Sequence, residues 1–250
     1  MFGGSHTFKV QAAIFLGNDL TGGLIAWKGW SVHDRQTRFG DELPLPPLPQ
    51  IQSGMFWDFQ DPYVEPFMEI DDEPGYYING EWTVSNRFLL RVTHYDNRTD
   101  PTAAAPGQVG WETEFNHVGL QATLPGDVDL IFQWLEGSTI WGPVFFGNRP
   151  VDNDFNSNFI LLTRVFSRHR VSARYDHFEI LDNDQTPLAD NSEFGHAWTL
   201  AYQFEVSDHV SLAAEALKIF TQRNAWAYYG LDESKDERQL QLSVRLRFGN

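Results

Sequence analysis

The pattern in this sequence closest to a metal site is Asp152-Asn153-Asp154-Phe155-Asn156, which sets side-chain oxygens at alternate positions as a calcium loop does. Such loops also need glycine at the sixth position and a bidentate glutamate at the twelfth. Here Ser157 stands at the sixth and the twelfth is not Glu, so the segment reads as an acidic surface loop. The eight histidines are scattered: His169 and His209 fall in turns, and His177 and His196 lie beside longer loops. With no cysteine, a disulfide framework, a cysteine-ligated zinc site and a cysteine nucleophile are excluded. A glycine-rich phosphate loop, a nucleophile elbow and a paired-histidine zinc helix are also lacking. The sequence thus points to no catalytic set, no metal and no cofactor.

What remains is a set of charges spaced along segments of alternating polarity. Lys9, Arg91, Arg164, Arg174, Arg245 and Arg247 are basic; Glu81, Asp129, Asp176, Glu205 and Glu215 are acidic. Gathered on the wall of a water-filled passage, such side chains set its ion preference, and six bases against five acids give none. Paired across a narrow space, they form a salt-bridged plug instead. Which of these applies depends on the elements that carry them.

The elements read as strands. From residue 76 onward, period-two alternation dominates. Leu240, Leu242, Val244, Leu246 and Phe248 share one face, and Gln239, Gln241, Ser243, Arg245 and Arg247 share the other. Comparable apolar faces are Val128, Leu130, Phe132 and Trp134, and Trp198, Leu200, Tyr202, Phe204 and Val206; none carries a charge. Trp134, Tyr175 and Trp198 cluster toward one end of the strands, and Phe88, Phe204 and Phe248 toward the other, the placement of two aromatic girdles.

Turn chemistry marks Gly17-Asn18-Asp19, Ser85-Asn86-Arg87, Pro125-Gly126-Asp127, Ser167-Arg168-His169 and Ser207-Asp208-His209. Long polar segments at 31–75, 98–114, 138–157, 181–195 and 221–237 alternate with these turns. Short turns alternating with long loops are the layout of an outer-membrane barrel. The longest segment, 31–75, carries Leu43-Pro44-Leu45-Pro46-Pro47-Leu48-Pro49 and the apolar Met55, Phe56, Trp57 and Phe59. It can fold inward as a constriction, pack as an external cap, or stay unstructured. The acidic groups Asp182, Asp184, Asp190 and Glu193 read as a solvated loop, which beside lipopolysaccharide would share divalent cations with lipid phosphates.

Composition sets outer limits. The 250 residues carry a formal charge of −16 and 15% aromatic residues. The pI near 4.7 argues against a nucleic-acid partner, which needs a basic footprint. Mean hydropathy is −0.38, and no apolar run is long enough for a transmembrane helix. A barrel strand exposes only alternate residues to lipid, so low hydropathy is compatible with a membrane wall. No signal peptide is visible after Met1.

The expectation is a single all-β domain over 1–250, an antiparallel transmembrane β-barrel with about eleven visible strands. These lie near 7–16, 22–31, 76–84, 88–97, 116–124, 128–137, 158–166, 170–179, 196–205, 210–220 and 238–248. Bacterial single-chain barrels have even counts, so eleven implies an N-terminally truncated barrel whose first strand starts outside the cell.

Several stretches resemble a group of porin-like outer-membrane proteins of proteobacteria: VTHYDNRTDPTA (92–103), GLQATLPGDVDLIFQWLEGSTIWG (119–142), TLAYQFEVSDHVSLAAEALK (199–218) and ERQLQLSVRLRF (237–248). The resemblance spans most of residues 5–248 and lies in strand-and-turn patterns. It implies a non-enzymatic channel in the outer membrane of a Gram-negative bacterium, passing small hydrophilic solutes. Its partners would be outer-membrane lipid and lipopolysaccharide, with a second copy of the chain a further candidate as a homo-oligomer. Two rivals stay open: an outer-membrane barrel enzyme of lipase or protease type, and a soluble carbohydrate-binding β-sandwich.

Overall fold

A computed structural model describes residues 4–30, 37–85 and 87–248. The fold is all-β and dominated by one antiparallel sheet of ten strands. In chain order the strands are β1 (His6–Phe15), the short pair β2 (Leu43–Pro44) and β3 (Tyr63–Val64), β4 (Gly75–Val84), β5 (Phe88–Asp96), the short pair β6 (Ala104–Ala105) and β7 (Gln108–Val109), β8 (Glu112–Leu124), β9 (Val128–Trp141), β10 (Val151–Phe166), β11 (His169–Asp182), β12 (Glu193–Ser207), β13 (Val210–Arg223) and β14 (Ser234–Leu246). The large sheet runs β1-β4-β5-β8-β9-β10-β11-β12-β13-β14, so each wall strand pairs with the next one along the chain. No helix among the described residues is long and apolar enough to cross a membrane, which says nothing of a β-barrel.

Turn residues do the work expected of them at three hairpins. Gly126 and Asp127 adopt positive φ between β8 and β9, and Ser167 does so between β10 and β11. Asp208 and His209 join β12 to β13. Ser85 also has positive φ at the β4–β5 turn, whose central Asn86 lies outside the described residues.

Three expectations are corrected. The described part of the segment 22–31, up to Trp30, is not a strand: Leu24–Lys28 form a single π-helical turn, with Trp27 only 1% exposed. Leu24, Ile25, Ala26 and Trp27 are apolar in succession, and a short continuous apolar run does not distinguish a strand from a buried helical turn. Gly17-Asn18-Asp19 accordingly opens a long connection instead of closing a hairpin. The second correction concerns direction. His6 pairs with Val84 and Phe15 with Gly75, so β1 starts at the short-turn end and climbs to the loop end. All five long connections therefore emerge at one end, and β14 descends to the other. The third concerns number: among the described residues the large sheet has ten strands, not eleven, so the count is not odd. Among the described residues, the sheet is nonetheless not closed into a barrel, because β1 and β14 each pair along one edge only.

The hydrophobic core lies at the loop end, between the connection from β1 to β4 and the adjoining wall. Trp27 packs edge-on to Trp111 at 4.8 Å and lies 6.0 Å from Trp57; Trp57 in turn meets Trp141 at 4.9 Å. Leu48, Ile51 and Val64 also belong to this cluster, and Leu43 of the proline-rich stretch is buried as well. Burial of these side chains, at about 1.5–3 kcal/mol each, organises a connection otherwise poor in regular structure. Of the readings left open for 31–75, the described part, from residue 37, is packed and so not unstructured; its contacts with Trp141 lie on the face shared with Asp129 and Gln133.

Candidate functional site

Strand register sorts side chains onto two faces. Val118 lies opposite Trp134 and Leu120 opposite Phe132; Tyr175 is paired with Trp198 and Ala214 with Leu242. The apolar residues of successive strands thus form one continuous surface. It is exposed: Val10 is 78% and Leu242 74% accessible. Rings mark its borders. Trp82 lies 5.5 Å from Phe88 near the short turns, and Tyr175 lies 4.7 Å from Trp198 toward the loops. Beyond the loop-side border the same face turns polar, with Lys218 paired to Asp236 at 3.1 Å.

The opposite face is polar, and the register places ten of the eleven charged residues singled out by sequence on it. Lys9, Glu81 and Arg91 stand side by side on β1, β4 and β5, with Glu81 3.3 Å from Lys9 Nζ and 2.7 Å from Arg91 Nη2. Arg174 Nε donates to Asp176 Oδ1 at 2.9 Å, and Arg247 lies 3.3 Å from Glu205. Asp129 accepts from Thr123 Oγ1 at 3.1 Å. Arg245 and Glu215 share this face as register partners of Ser211 and Ala201. Seven of the ten, namely Lys9, Glu81, Arg91, Arg174, Asp176, Glu205 and Arg247, thus sit in local ion pairs, each worth little in exposed surroundings.

Arg164 is the exception. It pairs with Val128 and Val171 and shares the apolar face with Leu162 and Ile160, close to the turn at Ser167. Phe159-Ile160-Leu161-Leu162 is apolar on both faces, so this stretch of β10 offers no alternation from which to assign Arg164.

The supposed calcium loop is also displaced: Asp152–Asn156 are part of β10. Asp152, Asp154 and Asn156 share one face of this extended strand, but about 6.6 Å separates each from the next, too far for their oxygens to converge on one ion. Asn153 and Phe155 are buried while Asp154 stays exposed.

No protein-family model matches this chain, and no curated protein does. Its chemistry is carried by its own geometry.

That geometry centres on residues that composition and spacing did not single out. Trp30 follows the π-helical turn and stacks on Phe155 of β10, with ring centroids 6.2 Å apart. Its backbone N–H donates to Glu193 Oε2 at 2.7 Å. Glu193, expected in a solvated acidic loop, is instead 0% exposed at its side chain and paired at 3.0 Å with Arg223, 1% exposed. Arg223 also donates to the carbonyl of Ala26 at 2.6 Å. Gly29 adopts φ 95° against this pair; a side chain there would collide with both the carboxylate and the guanidinium. An ion pair at the loop end of β12 and β13 thus clamps the inserted turn onto the polar face. The only hint in the sequence is a Glu and an Arg flanking strands of matched length.

A second carboxylate cluster braces the same connection. Asp19, Glu69 and Asp71 lie within 4.8 Å of one another. Asp19 accepts from the Ile70 amide at 2.7 Å and from Thr99 Oγ1 at 3.0 Å, and Glu69 from the Gly17 amide at 2.6 Å. Burial pushes the Asp19 carboxyl up to about 6, helped by the neighbouring negative charges of Glu69 and Asp71 and opposed by these hydrogen bonds. The oxygens are engaged with main chain, which makes this a structural brace.

Proposed function

We propose that this chain builds the wall of a transmembrane β-barrel in the outer membrane of a Gram-negative bacterium, and that the barrel passes small hydrophilic solutes by diffusion. The observation that carries the reading is the exposed, charge-poor apolar surface spanning the ten-stranded sheet, opposite a face of mixed charge. An exposed apolar surface of this extent marks a membrane or protein contact. The segregation of long connections to one end favours the membrane. Four alternating residues of such a face, as in Leu240 to Leu246, run about 20 Å along a strand at about 3.3 Å per residue, close to the height of a lipid-facing band.

In hydrocarbon, the outer edges of β1 and β14 require partners, because unpaired backbone polar groups cost several kcal/mol each. In this reading those edges are closed in the membrane-inserted form. The polar face then lines the lumen, and the clamped turn carrying Trp30 narrows its loop-side mouth. An enzymatic reading gains no support from the polar face, where most of the charged groups described are engaged in ion pairs with one another.

Reconstitution into planar bilayers tests the proposal. Stepwise single-channel currents from the detergent-purified chain are expected; a protein that inserts without conducting overturns the diffusion reading. A protein that stays soluble and monomeric without detergent overturns the membrane reading.

A further inference from the structure

The polar face is not uniform. Over β10 to β13 it sinks into a recess of about 580 Å³ whose edge is formed by Trp30. Small side chains, Ser157, Ser172, Ala197, Thr199 and Ala201, make up much of its lining, beside the larger Leu161, Phe178 and Ile219. These come from adjacent strands, with Ser172 opposite Ala201 and Ala201 opposite Glu215 in the ladder. Where small residues coincide across neighbouring strands, the wall thins and leaves room for a ligand. The volume is in the range of small-molecule sites, about 300–1,000 Å³.

The polar groups at the recess are held in place. Arg174 sits over the Phe159 ring, its guanidinium carbon 3.8 Å from the centroid, while its Nε is fixed by Asp176 at 2.9 Å. Trp30 is fixed in turn by Phe155 and by the buried Glu193. The site therefore offers a rigid aromatic ring, a preset row of donors and acceptors, and hydroxyls from Ser157, Ser172 and Thr199.

Charge narrows the ligand class. Arg174 and Asp176 neutralise each other, so neither is left to hold an ion of opposite sign. Glu215 adds one negative charge at the edge, which disfavours a free anion; the choline control reads whether it draws a cation instead. A neutral ring with hydroxyls on its rim and C–H groups on its face suits both the paired charges and the indole surface.

We propose that the recess beside Trp30, floored by Ser172, Thr199 and Ala201 and edged by the Arg174–Asp176 pair, binds a neutral polyhydroxylated solute of mono- or disaccharide class. The proposal rests on the reading of this face as solute-facing, but not on conductance.

Calorimetric titration of the full chain in detergent micelles tests it, with glucose, maltose and sucrose as probes and choline and inorganic phosphate as charged controls. Saturable binding of at least one sugar is expected, at about millimolar strength. Ala201→Phe, which fills the recess without removing any polar contact, should weaken that binding at least about tenfold. Trp30→Ala should do the same while protease resistance of the 37–74 connection is retained. Three results overturn the site: no saturable binding of any of the sugars, stronger binding of choline or phosphate, or sugar binding unchanged in Ala201→Phe. A chain that conducts in bilayers but binds no sugar keeps the diffusion reading and loses the recess. One that binds sugar without conducting does the opposite.

Discussion

Arg223 and Glu193 form an ion pair 3.0 Å long with side-chain exposures of 1% and 0%. The pair joins the loop ends of β12 and β13 to Trp30 and Ala26 of the inserted turn. Removing one partner of a buried pair strands the other charge, at about 3–5 kcal/mol. Arg223→Met should therefore destabilise the loop-end cap by about that amount, read from guanidinium unfolding followed by tryptophan fluorescence in detergent. Glu193→Gln added to Arg223→Met should recover part of the loss, because the amide oxygen still accepts from Trp30 N–H. If the double variant is no more stable than Arg223→Met alone, the clamp owes its strength to the guanidinium's main-chain bonds and not to charge pairing.

The face assignment makes a sharp contrast between adjacent residues. Leu242 lies on the apolar surface opposite Ala214, and Ser243 on the polar face opposite Ala213. Leu242→Arg should hinder folding into lipid vesicles, at about 2–4 kcal/mol for a charge near the bilayer midplane. Ser243→Arg should fold like the parent chain. Equal yields of the two variants would sink the two-face reading.

These particulars mark what the sequence carried and what it did not. Alternation at 240–248 and turn chemistry at Pro125-Gly126-Asp127 specify local geometry, and the strands and hairpin there follow directly. Ten of the eleven charges were assignable because most of them, such as Glu81, Arg91, Arg245 and Arg247, sit in segments of clear period two. Arg164 was not, because β10 is apolar on both faces around it. The turn at Leu24–Lys28 hides in a run with no period, and its structure is set by Trp57, Trp111 and Trp141, which are distant in sequence. Burial of Glu193 depends likewise on Arg223, thirty residues away, and on a backbone amide from the first connection.

The brace at Asp19 predicts a pH dependence. In the folded chain its carboxyl is raised to about 6, against 3.8 for an ordinary aspartate. Between those values the folded state binds more protons than the unfolded one. Stability must then fall as pH rises from about 4 through about 6, and level off above. Asp19→Asn should flatten this contribution. The measurement is the unfolding midpoint of parent and variant at pH 4.5 and 7. The parent is expected to lose more than the variant over that interval, and equal slopes would remove Asp19 as the source.

The final prediction concerns ion preference, and it separates pairing from simple charge count. Glu81 stands between Lys9 and Arg91 and touches both, so the three carry a net single positive charge with two bases held by one acid. Glu81→Gln frees both cations without altering the side chain's size. If the polar face lines a conducting lumen, reversal potentials across a potassium chloride gradient should move toward anion preference in this variant. Arg164→Gln removes a positive charge as well, yet it should leave the reversal potential unchanged, because Arg164 projects from the apolar face beside Leu162. A wall charge count would predict a shift for both variants. A shift with Arg164→Gln and none with Glu81→Gln would reverse the assignment of inner and outer faces. The parent itself is expected to discriminate weakly between potassium and chloride, since Arg174 with Asp176 and Arg247 with Glu205 cancel within a few ångströms of each other.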